Sequence, residues 1–157
     1  MITMDAYWKG PDAQRRDEVY ADQMTDAIRA NAEVTVAKAN QLLERAGMRE
    51  VEAVNSGWRP QSVNERTKNA GKNSSHLTGE AIDIRDPDGA LDKWCLANLH
   101  VLVELGLWME HPGWTDGWCH VQTRAPGWPP NPKGPRAYIP SSSPPQTTIY
   151  GTKPVFA

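Results

Sequence analysis

The stretch Ser74-Ser-His76-Leu-Thr-Gly79-Glu-Ala81-Ile-Asp83-Ile84 combines residue types and spacings that could do chemistry. A histidine sits in a polar, turn-rich run, and an aspartate follows seven residues later. From Glu80 to Arg85 the chain alternates, with Ile82 and Ile84 on one face and Ala81, Asp83 and Arg85 on the other, as a half-buried strand does. Gly79 lets the chain bend sharply between histidine and aspartate, and Ala81 leaves the face beside Asp83 open. A carboxylate on such a strand needs a cation or hydrogen bonds. A zinc ion would satisfy it and use a neutral imidazole from His76 at once.

A third ligand should come from another strand. In Trp118-Cys-His120-Val-Gln122, Cys119 and Val121 share the apolar face, which turns His120 and Gln122 the other way. Leu107 to Glu110 reads as a second strand, and His111-Pro-Gly-Trp-Thr-Asp-Gly117 as a turn-rich connector, so a hairpin is expected. Pairing that sets Glu110 opposite His120 would bring Glu110 to the same face. Two histidines, an aspartate, an open coordination position and a nearby glutamate form the donor set of a catalytic zinc site, not a structural one.

Ser74-x-His76-x-x-Gly79-x-Ala81-x-Asp83, followed by Trp118-x-His120, resembles the M15 family of zinc peptidases. That family includes D-alanyl-D-alanine carboxypeptidases, the dipeptidases of vancomycin resistance and many phage endolysins, and shares its metal core with the hedgehog signalling domain. Ser56-Gly-Trp-Arg59-Pro is similar to the family's Ser-Gly-x-Arg segment. Tyr7-Trp8-Lys-Gly and Asn55-Ser-Gly-Trp-Arg-Pro look like small phage-borne members, and the resemblance runs from about Tyr7 to Pro140. It implies that His76, Asp83 and His120 bind zinc, and that Arg59 faces the metal and holds a substrate carboxylate or carbonyl oxygen. A carboxylate would move the proton between water and the leaving amine. Several family members carry that acid three residues before the last histidine, where this chain has Gly117. Other relatives place it across the hairpin turn, so Glu110 is the first choice and Asp116 the second. Ser74 and Gln122, by motif position, and Trp58, beside Arg59, are the candidate substrate contacts.

The elements that must position these groups suggest an α+β domain: helices on one side of a small, mainly antiparallel sheet, with a hedgehog- or DD-peptidase-like zinc cleft on its other face. Asp12 to Gly47 is helical in character, with a break expected near Asn31 and Gly47 as the cap. Val51 to Ser56 reads as a strand, Gln61 to Asn69 as a brief helix, and Leu91 to Gly106 as one amphipathic helix. The catalytic domain is expected over residues 1–124. Nine of the thirteen prolines lie from Pro126 onward, so residues 125–157 are expected to wrap that domain without regular structure, anchored by Trp128, Tyr138, Ile139 and Phe156. His100 and His111 read as ordinary surface or half-buried residues.

The 157 residues suffice for one core, and a formal net charge of −2 supplies no basic excess for nucleic acid or an anionic membrane. Cys95 and Cys119 read as reduced core residues. No secretory signal or membrane span is legible, so the expectation is a monomer made in a cytoplasm, with a holin or virion giving access to the wall. The function expected is zinc-dependent hydrolysis of peptidoglycan stem peptides, as an endolysin-like endopeptidase or a D,D-carboxypeptidase. The alternative is a zinc-stabilised binding module or virion component without catalysis.

Overall fold

A computed structural model describes residues 1–140. Three short segments and one long helix open the chain: α1 (Met4–Lys9), α2 (Arg16–Val19), a 3-10 turn at Ala21–Gln23, and α3 (Asp26–Arg45). α3 begins where the Thr25 hydroxyl accepts a hydrogen bond from the Ile28 amide. Ala32, Val36, Ala39 and Leu43 recur at helical spacing along its buried stripe. The break expected at Asn31 is absent; it falls instead between Tyr20 and Thr25. Asn31 lies inside α3 and its side-chain amide donates to the Thr78 carbonyl at 3.0 Å. That tertiary bond outweighs a modest loss of helix propensity.

The strands are β1 (Val54–Ser56), β2 (Ala81–Arg85), β3 (Trp108–Glu110), β4 (Trp118–Gln122) and β5 (Ala137–Tyr138), in the order β1-β2-β4-β3-β5. Every pairing is antiparallel except β3 with β5. A short α4 (Gln61–Arg66) follows β1, and α5 (Ala90–Ala97) and α6 (Leu99–Leu105) lie between β2 and β3. The single helix expected from Leu91 to Gly106 is thus two. Asn98 interrupts it with φ −130°, and its side chain takes the Trp94 carbonyl at 2.8 Å.

Ile82, Ile84, Met109, Cys119 and Val121 join Leu42, Leu43, Leu91 and Leu102 in the main core. This apolar face is covered by α3, α5 and α6. Cys95 and Cys119 are buried free thiols within it. The fold is a mixed helix-and-sheet domain, and no helix among the described residues is long and apolar enough to cross a membrane.

The tail departs from the expectation of irregular structure. Met109 and His111 donate to the Arg136 and Tyr138 carbonyls at 2.7 Å each, which makes β5 an edge strand beside β3. Tyr138 is buried with Trp108 and Ala125, and the Arg136 guanidinium lies 4.0 Å from the Trp108 ring centre. Trp128 is no anchor: it is 68% exposed and meets the Arg124 guanidinium. Phe156 lies outside the described residues.

Candidate metal centre

His76 stands on a 3-10 turn, Ser75–Thr78, that is held from several sides. The Ser74 hydroxyl accepts from the His76 amide at 3.3 Å, and the Arg59 amide donates to the His76 carbonyl at 3.0 Å. α3 clamps the exit of the turn, where the Thr35 hydroxyl donates to the Gly79 carbonyl at 2.9 Å. Gly79 has φ +76°, and a Cβ there would come within 2.6 Å of the Ile28 carbonyl oxygen. Only glycine allows this approach.

Asp83 and His120 occupy directly opposed positions of β2 and β4. The β3–β4 register pairs Trp108 with Gln122 and Met109 with Val121, so the next step along the ladder brings Glu110 to His120. The His120 Nδ1 lies 2.7 Å from Asp83 Oδ1, and the His76 Nε2 lies 3.4 Å from Asp83 Oδ2. The Glu110 carboxylate reaches to 4.0 Å from His120 Nδ1. Ligand atoms of His76, Asp83 and His120 all lie within 4.8 Å of one another, so this buried group could hold a metal ion.

The hydrogen bonds behind the triad suit that use. His76 Nδ1 faces the Gly57 carbonyl at 2.8 Å; a carbonyl only accepts, so Nδ1 carries the proton and Nε2 keeps its electron pair. Gly57 can bring its carbonyl there because a Cβ would fall 2.2 Å from the Tyr7 carbonyl oxygen. His120 Nε2 faces the Gln122 Oε1 at 2.8 Å, which makes Nε2 a donor and leaves Nδ1 toward Asp83. Each imidazole is therefore oriented by an outer partner, as metal-binding histidines ordinarily are.

The charges are unevenly matched. Burial alone would raise the Asp83 carboxyl, but His76 and His120 outweigh it and hold Asp83 well below the usual carboxylate range. Burial opposes a proton on His120, yet the bond to Asp83 and the charges of Asp83 and Glu110 push it up to about 9. Without a metal, a proton on Nδ1 sits between His120 and Asp83; a metal ion would replace it. Burial lowers His76, and burial likewise raises Glu110 against the opposing pull of His120.

The other sequence-chosen residues divide. Arg59 is half-buried near Asp83; burial lowers its pKa, Asp83 offsets this, and its Nη1 donates to Asn64 Oδ1 at 3.2 Å. Trp58 is only 1% exposed and donates to the Leu77 carbonyl at 3.1 Å, so it is a core support and not a groove wall. Ser74 caps the His76 turn. Gln122 is 4% exposed and hydrogen-bonded to His120, so it is a buried partner of that imidazole and does not line an open groove. Asp116 is exposed, on a surface hollow lined by Pro87, Asp88, Asp92 and Thr115, before the start of β4. His111 is buried, with Nδ1 accepting from the Gly113 amide at 3.2 Å, whereas His100 is exposed.

Sequence reasoning missed the Gly57 carbonyl, Asn64 and Tyr138. The Ser56-Gly57-Trp58-Arg59 motif held a signal for the first; Tyr138, one of two tyrosines in the proline-rich tail, read only as a packing anchor. No family model, curated protein or solved structure matches the chain.

Proposed function

We propose that the chain is a zinc-dependent peptidase that hydrolyses amide bonds in the peptide stems of bacterial peptidoglycan. The observation that carries this reading is a buried His76–Asp83–His120 donor set with Glu110 at 4.0 Å from His120. Nitrogen and carboxylate donors of this composition suit zinc, and three protein ligands leave a position open. When bound, zinc supplies a Lewis acid that polarises an amide carbonyl and makes water nucleophilic near neutral pH.

The chain's own residues supply the rest. Glu110 takes a proton from the attacking water and returns it to the leaving nitrogen. Its burial, which raises its carboxyl, keeps that proton exchange closer to neutral pH. Arg59, steadied by Asn64, offers its remaining guanidinium donors to the carbonyl oxygen as charge develops or to a terminal carboxylate. Gly57 and Gln122 keep the two imidazoles in ligand orientation. The resemblance of the His76, Asp83 and His120 motifs to cell-wall peptidases selects the substrate class.

The test is mass spectrometry of cross-linked sacculi digested by zinc-loaded protein, with a chelated sample beside it. New peptide fragments that vanish with chelator are expected, and their masses identify the bond. Intact sacculi with folded, metal-bound protein would overturn this reading in favour of a zinc-stabilised module without catalysis.

A further inference from the structure

Gln122 links the metal centre to the C-terminal tail. Its Nε2 lies 2.6 Å from the Arg124 carbonyl, which can only accept, so the amide nitrogen must face that way. Oε1 is then turned toward His120 Nε2 at 2.8 Å and the Tyr138 hydroxyl at 2.7 Å. An amide oxygen accepts two hydrogen bonds, and here both are filled. The hydroxyl donates to one electron pair and the imidazole N–H to the other. Tyr138 is 8% exposed, and its ring meets His120 edge-on with centres 6.4 Å apart. It reaches this place through the parallel β3–β5 register, which sets Tyr138 beside Glu110.

We infer that Tyr138 is a positioning residue by which the proline-rich tail completes the metal centre: its hydroxyl pins Gln122 Oε1, and Gln122 in turn holds His120 with Nδ1 free for the metal. The inference rests on the reading of His76, Asp83 and His120 as a metal centre. Without the hydroxyl, Gln122 loses one of two restraints on its oxygen, and His120 loses part of what fixes its tautomer and ring plane. β5 is therefore a part of the site, and the chain N-terminal to it forms an incomplete one.

The experiment measures affinity for Zn²⁺ by competition with a chromophoric chelator, and the visible spectrum of the Co²⁺ form. It uses the full chain, Tyr138→Phe, Gln122→Leu and the double variant. Gln122→Leu should weaken Zn²⁺ binding about 10–100-fold, and Tyr138→Phe about 10-fold, with a changed Co²⁺ spectrum. In the double variant Tyr138→Phe should add nothing, because its route to His120 is already cut. The metal-free melting temperature of Tyr138→Phe should stay near that of the parent. Parental affinity in Tyr138→Phe, or independent additive losses in the double variant, would overturn the positioning role while leaving the metal centre standing. A parent chain that binds no Zn²⁺ would overturn both.

Discussion

Ile82 and Ile84 alternate with Asp83 along β2, as Cys119 and Val121 do with His120 and Gln122 along β4, so neighbouring residues serve two unlike faces of one sheet. On the helix side, Ile82, Ile84 and Val121 ask only for shape, and α3, α5 and α6 fill it. On the other side, Asp83, His120 and Gln122 need named partners at hydrogen-bond distance. The two acids nearest these faces show the contrast. Asp83 is held below the usual carboxylate range by two imidazoles. Asp92 packs on the helix side, where burial raises its carboxyl to about 6 despite bonds from Cys119 and Thr115. An acid is stable at a buried site when cations or a metal face it, and is a cost when they do not.

The comparison should break most completely at the proposed metal-binding side chains. Asp83→Ala should abolish Zn²⁺ binding, read by chelator competition, and drop sacculus hydrolysis to background, while the isoleucine face stays packed. Glu110→Gln comes next, with a rate loss of about 10²–10⁴ at unchanged zinc stoichiometry. Asp116→Asn should stay within about twofold of the parent in the same assay, since surface substitutions remote from the chemistry have small effects. If the two results are exchanged, the proton carrier is Asp116.

On the apolar face, Ile82→Ala should cost about 2–5 kcal/mol in urea unfolding and leave zinc stoichiometry intact in the folded fraction. A smaller, pH-dependent effect belongs to Asp92. Its carboxyl is raised on folding, so the folded protein holds that proton more tightly than the unfolded chain does. The stability cost grows from about pH 4 to pH 6 and is complete above. Asp92→Asn keeps an acceptor for Thr115 and should gain about 1–3 kcal/mol at pH 8, falling to nothing near pH 4. A gain independent of pH would show that folding does not raise the Asp92 carboxyl.

Much of the site was legible because strand alternation is a local property. The period of two in Glu80 to Arg85 and in Trp118 to Gln122 turns Asp83 and His120 away from the core, and a hairpin register then brings Glu110 near His120. Helix boundaries were less legible. Asn31 and Asn98 look alike as possible breaks, yet one sits inside a 20-residue helix and the other divides two. Propensity differs too little between them; the Thr78 carbonyl and the Trp94 carbonyl decide the outcomes.

The groups that orient His76 and His120 were hidden for a different reason. Gly57 acts through its carbonyl, which every residue has, and only the close approach of Tyr7 singles it out. Trp58, beside it, reads from the sequence as a substrate contact and is instead a core tryptophan bound to the Leu77 carbonyl.

What the sequence by itself determined is the local part: which side chains lie on each strand face, where the sharp turn at Gly79 falls, and which donors a metal would meet. Tertiary structure alone decided the tautomers of His76 and His120, the burial of Trp58, the exposure of Trp128 and the joining of Tyr138 to Gln122. Periodicity is carried by a few adjacent residues. A hydrogen bond between Gln122 and Tyr138 spans a turn-rich, proline-bearing segment whose path depends on packing, and no local pattern encodes that path.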